Sequence, residues 1–507
     1  MELTYTGSTK ELGKELASLQ LELIKYQIPV VILVDGWENS GKGDVINKLT
    51  RELDPRYYSV AVFDEAESND PKYHFMHRFW QHLPKRGHIT IYDRSPYFKA
   101  FDHLHTSLRE MTVLLEDIYN FLHMLADDGY IVIKLFLEMS HKEQEQRIQK
   151  LETLPFKKIF LNKRDYDQLE HYKEYKEHFD YIINRTNKLY SPWRVIPTNN
   201  LKEGSRLAML AVYHILKEKI KALTDPDVLE KQKVALTRTA PIFPTIIPNN
   251  LFLPIDEEYY EDEIRYLQEE ANYLSFALYV CKIPTICAFE GQDAAGKGGA
   301  IKRLTKAIDP RGYSIHQTAA PTKEELSYHY MRRFMVNTPS NGRMAIFDRT
   351  WYGRVLVERV EGFATDREWQ RAYQEINAIE LHWVHSGINY FKFFLAISKD
   401  EQLRRFEDRA NTATKQFKIT DEDWRNRDKW DAYEEAFQEM FYRTSTNIAP
   451  WHIVEGDNKL YARIHVLQIF VGQSKRRLKD FAAEHPNALD WKEFWKEYEA
   501  LRPKKKA

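Results

Sequence analysis

Two glycine-rich stretches, Asp35-Gly-Trp-Glu-Asn-Ser-Gly-Lys-Gly43 and Glu290-Gly-Gln-Asp-Ala-Ala-Gly-Lys-Gly298, repeat one pattern, and Lys42 and Lys297 lie 255 residues apart. Asp54-Pro-Arg56 and Asp309-Pro-Arg311 keep that offset, as do Asp93-Arg94 and Asp348-Arg349. Further on the offset becomes 258: Lys134-Leu-Phe-Leu137 answers to Lys392-Phe-Phe-Leu395, and Arg185-Thr186 with Pro192-Trp193 answers to Arg443-Thr444 with Pro450-Trp451. Landmarks in one order at nearly one spacing make a tandem duplication, with three extra residues in the second copy between Asp348 and Lys392. A duplicated chain of 507 residues folds as two copies of one domain.

The join falls near residues 223–254, where Pro226, Pro241, Pro244, Pro248 and Pro254 favour an extended connector. The expected organisation is an N-terminal domain over 1–222, a linker over 223–254 and a C-terminal domain over 255–507. Short β-branched or aromatic runs at 28–34 and 283–289 lead into the glycine stretches, and Ile301, Leu304 and Ile308 then recur at helical spacing. Second strands at 89–92 and 344–347 end at Asp-Arg, and third strands are expected at 131–137 and 390–397. Strands alternating with long helical stretches predict an α/β fold in each copy, a mostly parallel sheet flanked by helices. Ligands bind such sheets beyond the carboxyl ends of the strands, where both the glycine loops and the Asp-Arg pairs stand.

Composition narrows the class. Lys+Arg 74 against Asp+Glu 75 excludes a protein that coats nucleic acid through net charge. Two cysteines, Cys281 and Cys287, exclude a disulfide framework and fit a reduced cytoplasmic setting. The longest apolar runs are strand-sized, so no membrane span is expected.

In G-x-x-x-x-G-K the backbone N–H groups and the helix start form a nest for phosphate oxygens, and the lysine adds a point charge. A Ser or Thr usually follows that lysine and ligates magnesium; Gly43 and Gly298 stand there instead. Asp293 inside the loop and Asp348 at the next strand end can supply oxygen ligands in its place. Asp348 can alternatively cap a helix starting near Trp351. On that helix Arg354 and Arg359 are expected to share a face. With Arg303, Lys306 and Arg311 after the loop, and Arg404, Arg405 and Arg409 after the third strand, they suggest a channel for a ligand with many phosphates. His329, His382 and His385 read as ordinary polar residues, since no metal-ligand cluster accompanies them.

The stretches Gly291-Gln-Asp-Ala-Ala-Gly-Lys-Gly-Gly299, Asp309-Pro-Arg-Gly312, Asp348-Arg-Thr-Trp-Tyr-Gly-Arg354, 398–406 and Thr444 with Ala449-Pro-Trp451 resemble the polyphosphate kinase family 2. The tandem arrangement is similar to the family's class that phosphorylates AMP to ADP with inorganic polyphosphate as donor. That resemblance implies tandem P-loop kinase-like domains, each with a helical lid after the third strand, here about 404–430. It implies that Lys297 grips phosphate with the loop at Gly291, Ala295, Gly296, Gly298 and Gly299. Asp293 and Asp348 are to hold Mg2+ or Mn2+ and activate the acceptor. Arg349, Arg354 and a lid arginine, Arg405 or Arg409, are to neutralise the transferring group, with Arg303, Lys306, Arg311 and Arg359 holding further phosphates. The implied partners are polyphosphate and AMP or ADP, with no nucleic acid and no membrane, and the two halves form an internal pseudo-dimer. An ATP-using nucleotide kinase and a non-catalytic polyphosphate- or nucleotide-binding regulator are the alternatives.

The copies are unequal at the positions that matter. Asp293 corresponds to Glu38, Arg354 to Lys99, Glu358 and Arg359 to His103 and Leu104, and Trp351 to Pro96. Arg404 and Arg409 correspond to Gln146 and Leu151. Turnover is therefore expected in the C-terminal copy.

Overall fold

The structure is a computed structural model in which residues 5–63, 72–155, 161–225, 243–412, 419 and 421–501 are described. They divide into two units. The N-terminal unit takes in 1–70, 78–237 and 322–332, and the C-terminal unit 71–77, 238–321 and 333–507. Most of the proline-rich connector, 226–242, lies outside the described residues.

In the N-terminal unit the strands are β1 (Val30–Gly36), β2 (Tyr58–Val62), β3 (Ile89–Asp93), β4 (Ile131–Glu138) and β5 (Trp193–Pro197). All neighbours are parallel, in the order β2-β3-β1-β4-β5. The C-terminal unit repeats this with β6 (Thr285–Gly291), β7 (Tyr313–Gln317), β8 (Met344–Asp348), β9 (Asn389–Ala396) and β10 (Trp451–Glu455), ordered β7-β8-β6-β9-β10. The inner strands are apolar runs because helices cover both faces. Every residue of β9 is buried, and Cys287, Phe289, Phe391 and Phe393 pack in one core with Leu274 of the helix Glu257–Val280 and Leu467 of the helix Lys459–Glu484. The outer strands β2, β5 and β7 expose part of their length and β10 is half-buried over part of its own, and sequence patterning alone does not mark any of the four.

Register sets the site. Phe289 pairs with both Asp348 and Phe393, so the loop after Gly291 and the turn after Asp348 emerge side by side at the carboxyl edge. Among the described residues no helix is long and apolar enough to cross a membrane.

Candidate active site

In the C-terminal unit the chain leaves β6 at Gly291, with φ +142°, where a Cβ would collide with the Leu395 carbonyl oxygen. Only glycine fits so close an approach. Gly296 is left-handed at φ +105° and caps the helix Lys297–Lys306, whose first N–H groups face the loop. A Cβ at Gly298 would meet nothing within 4 Å, so the space over the helix start is open. Lys297 folds back on the strand end, its Nζ donating to the Gly291 and Gln292 carbonyls at 2.6 and 3.1 Å. Burial lowers the lysine's pKa, while Asp293, Asp348 and Glu290 oppose that fall.

Asp293 is held on both oxygens. Arg349 Nη2 donates to Oδ1 at 3.0 Å, and Asn426 Nδ2, from the lid helix Asp421–Asp428, donates to Oδ2 at 2.8 Å. Asp348 makes no hydrogen bond or ion pair through its carboxylate among the described residues. Thr350 caps the next turn instead, its Oγ1 accepting from the Tyr352 N–H at 3.1 Å. Asp348 is therefore not a capping residue. Arg349 sits in the left-handed region at φ 63°, an unfavourable place for a side chain of its size. Glu290 fixes the turn that follows, accepting from the Thr350 N–H at 2.7 Å and Oγ1 at 2.8 Å. Burial pushes the Glu290 pKa up. Sequence reasoning passed over Glu290; the signal was an acid ending an apolar strand in both copies, since Asp35 holds Ser95 in the same way.

The remaining basic residues divide, and several expectations need correction. The stretch after Asp348 is not one helix: a tight turn over Trp351–Arg354 is followed by a separate short helix, Val357–Val360. Arg354 pairs with Glu358 at 3.0 Å. Arg359 donates to Glu439 at 2.7 Å and stacks over Trp369, which occupies it structurally. Arg405 is buried beneath the loop. Its guanidinium donates to the carbonyls of Ala294, Ala295, Gly456 and Asp457 and to Glu401. All five of its N–H donors are thus used, and it braces the loop from behind instead of facing a ligand. Arg303 reaches back one turn to the Gly299 carbonyl at 3.4 Å, whereas Lys306 is exposed at the far end of that helix. Arg311 lies at the amino end of β7, the opposite edge of the sheet, paired with Asp309 at 2.7 Å. It is not part of a cluster at the carboxyl edge. Arg409 is in the last turn of the helix Lys399–Asn411. Among the described residues no group of three or more His, Cys, Asp or Glu side chains is set to hold a metal.

The N-terminal loop has the same backbone and a different occupant. Glu38 turns inward and meets Arg94 at 2.9 Å, Arg164 at 3.0 Å and Lys42 at 3.8 Å. Burial alone would raise its pKa, but Lys42, Arg94 and Arg164 outweigh burial and hold it down to about 2. Gln168 accepts from the Glu38 N–H at 2.9 Å, taking one donor of the nest. Trp37 stacks on Tyr172 with ring centroids 4.3 Å apart, and Leu201 packs against Gly41. The cavity left beside Lys42 is about 10 Å³, room for a single water at most.

A parallel sheet with a lysine-bearing glycine loop beyond its central strand, two nearby carboxylates and a helical lid defines a class: α/β proteins that hold phosphate-bearing ligands at the carboxyl edge. Comparison with known proteins narrows this to one family. The model of the polyphosphate kinase 2 family matches residues 2–226 and again 254–482, and the chain belongs to that family. It is 37% identical over 484 residues to a polyphosphate:AMP phosphotransferase of Pseudomonas aeruginosa, covering 92% of this chain and 94% of the relative. A polyphosphate:AMP phosphotransferase of Acinetobacter johnsonii is 34% identical, covering 93% of this chain and 98% of that one. A crystal structure of a polyphosphate kinase 2 from Pseudomonas aeruginosa superposes with a TM-score of 0.79 at 32% identity, covering 93% of this chain and 95% of its own.

Proposed function

We propose that the chain transfers the terminal phosphate of inorganic polyphosphate to AMP, giving ADP and a polyphosphate one unit shorter, at the C-terminal loop. The observation that carries this reading is the meeting of Lys297, the Asp293–Arg349 pair and the unpartnered Asp348 around the open space at Gly298. A phosphate oxygen of AMP attacks the terminal phosphorus in line, and the bond to the bridging oxygen breaks. A phosphate monoester carries a second pKa of about 6, so the attacking oxygen is largely deprotonated at neutral pH and no general base is required. What the residues supply is position and charge. Lys297 and the loop amides take the non-bridging oxygens, and Arg349, steadied by Asp293, faces the charge of the transferring group.

Magnesium fits the donor set. Asp348 has both oxygens uncommitted and Asp293 keeps lone pairs beyond its two hydrogen bonds, and magnesium is typically held by one or two carboxylates with phosphate oxygens. Asp293 and Asp348 would hold Mg2+ or Mn2+, which neutralises phosphate charge in such reactions. The N-terminal loop, filled by Glu38, carries no turnover in this reading.

The test is ADP formation from AMP, long-chain polyphosphate and Mg2+ with ATP omitted. Formation of ADP excludes both an obligatory ATP donor and a purely binding role. Asp348→Asn is expected to lower kcat about 10²-fold or more. No ADP, or full turnover in Asp348→Asn, defeats the assignment.

A further inference from the structure

At the amino edge of its sheet, the end away from the glycine loop, the C-terminal unit holds a cavity of about 410 Å³. Clefts of about 300–1,000 Å³ are the size that takes small ligands. Ser275, Phe276 and Tyr279 of the helix Glu257–Val280 line it, with Asp309 and Arg311 ahead of β7 and Arg343 ahead of β8.

The N-terminal unit carries larger side chains at two matching positions. Gln20 is buried there, its Oε1 accepting from the Asp54 N–H at 2.8 Å and its Nε2 donating to the Asp54 carbonyl at 3.2 Å. Tyr57 packs with its ring 5.2 Å from that of His88. Ser275, Gly312 and Arg343 stand in place of Gln20, Tyr57 and His88. The Ser275 hydroxyl is buried without a hydrogen-bond partner among the described residues, and the Asp309 N–H has none there either. A buried hydroxyl left unpaired costs stability, so the C-terminal unit keeps an opening that a glutamine would close.

The lining has a definite chemistry. The Arg311–Asp309 pair recurs as Arg56–Asp54 and by itself marks no site. Phe276, Tyr279 and Arg343 are particular to this unit, since the other has Leu21, Ile24 and His88. Arg343 lies 5.0 Å over the Tyr279 ring and donates one N–H to the Arg311 carbonyl at 2.7 Å. Its other donors, and the Nη1 of Arg311, make no hydrogen bond among the described residues. Phe276 is 66% exposed, a large apolar ring left in water on the rim of the same cavity.

We infer that this cavity binds a nucleoside phosphate at a site separate from the glycine loop. The base lies against Phe276 and Tyr279, and phosphate oxygens take the donors left on Arg343 and Arg311, a geometry that guanidinium groups match well. A linear polyphosphate has no ring and leaves both aromatic side chains in water, so the lining favours a nucleotide. The site stands apart from the transfer reading, because its residues lie at the opposite edge of the sheet from Lys297, Asp293 and Asp348.

The experiment follows hydrogen exchange in the full chain as ADP is added without polyphosphate. In the wild type ADP is expected to protect amides at 309–313 and 342–344 saturably, separately from any protection at 291–299. The double substitution Ser275→Gln with Gly312→Tyr installs the N-terminal side chains. A Cβ at Gly312 would meet only Ile308 Cγ2 at 3.5 Å, an ordinary contact, so the position accepts a side chain. This variant is expected to weaken ADP binding at the amino edge about tenfold or more, with ADP formation from AMP within about twofold of wild type. Arg343→His should weaken it similarly, as charge-assisted bonds are lost, and it carries the test if the double variant melts lower. Pyrophosphate alone and adenosine alone should each protect these amides at least about tenfold more weakly than ADP. No protection at 309–313 in the wild type overturns the site, and so does protection that survives in both variants. Equal protection by pyrophosphate reduces the cavity to an anion patch and refutes a nucleotide site. Protection that grows with protein concentration before any nucleotide is added assigns this face to a second copy of the chain, which also refutes it. Protection at the amino edge in a chain that makes no ADP defeats the transfer reading and leaves this site standing.

Discussion

The two glycine loops share a backbone and differ in what fills them. Gly36 and Gly291 leave the sheet at φ +145° and +142°, Gly41 and Gly296 cap the next helix at +94° and +105°, and Lys42 and Lys297 fold onto the same strand-end carbonyls. In the C-terminal loop the acid is Asp293, which stops at Arg349 and Asn426, while the helix starts themselves are alike, a Cβ at Gly43 or at Gly298 meeting nothing within 4 Å. In the N-terminal loop one more methylene carries the Glu38 carboxylate among Lys42, Arg94 and Arg164, where it satisfies the cations as a ligand's phosphate would. The lid takes part in the exchange: Arg164 corresponds to Glu422, which lies 3.9 Å from Arg349. A phosphate nest is thus closed by one internal anion while its architecture survives.

The sharpest way to break this comparison is to remove each loop lysine. Lys297→Ala is expected to lower kcat/KM about 10³-fold, the loss of a preorganised charge at the transferring group. Lys42→Ala is expected to leave turnover within about twofold. Steady-state ADP formation by the two variants decides, and the reverse pattern would move the active site to the N-terminal unit.

Glu38→Gln tests the internal anion. Its pKa is depressed from the ordinary value near 4.5 to about 2, so its carboxylate stabilises the N-terminal unit fully above about 4.5. That contribution fades as pH falls through 2. At pH 7 the variant is expected to lose on the order of 3 kcal/mol in the opening free energy of β1 and β3 amides, read by native-state hydrogen exchange. The gap between wild type and variant should shrink as the pH falls below about 4.5. A gap that is constant with pH means that Glu38 acts through packing and not through charge.

Much of this was legible in the sequence, for identifiable reasons. The duplication, the inner strands and the loops show because a buried parallel strand is a continuous apolar run and a close backbone approach demands glycine. The outer strands do not show: β7 is Tyr-Ser-Ile-His-Gln, half-exposed, and only pairing with β8 makes it a strand. Arg405 and Arg311 read as ligand-facing in sequence because basic residues cluster around the motifs. Sequence does not say that Arg405 spends its five donors on loop carbonyls or that Arg311 precedes its strand. Asn426 left no signal, since an amide at the sixth position of a polar helix announces no partner.

The smallest expected effect lies beneath the sites, where the units again diverge. Lys392 is buried in β9 with its Nζ on Glu380 at 2.7 Å, on Tyr352 at 3.1 Å and on the Thr444 carbonyl at 2.7 Å. Its counterpart Lys134 in β4 keeps the carbonyl bond, to Thr186 at 2.7 Å, but Leu122 replaces the acid. The rings of Trp193 and Tyr97, at 4.9 and 5.4 Å, do not make up the loss, since Trp451 and Tyr352 stand over Lys392 in the same way at 5.2 and 5.6 Å. Burial, with Lys188 adding to it, lowers the Lys134 pKa to about 7, against about 10.4 in an unfolded chain. Between those values the unfolded state binds more protons, so the N-terminal unit must gain stability as pH rises, by about 2 kcal/mol from pH 7 to pH 9. Lys134→Met removes the titrating group and should abolish that rise, with stability at pH 7 equal to wild type or higher. Lys392→Met should instead destabilise the C-terminal unit at both pH values, because it leaves Glu380 buried without its cation. Hydrogen exchange of β4 and β9 amides, corrected for intrinsic rates, measures both. A wild-type N-terminal unit no more stable at pH 9 than at pH 7, relative to Lys134→Met, would show that Lys134 stays charged in the fold without a carboxylate partner.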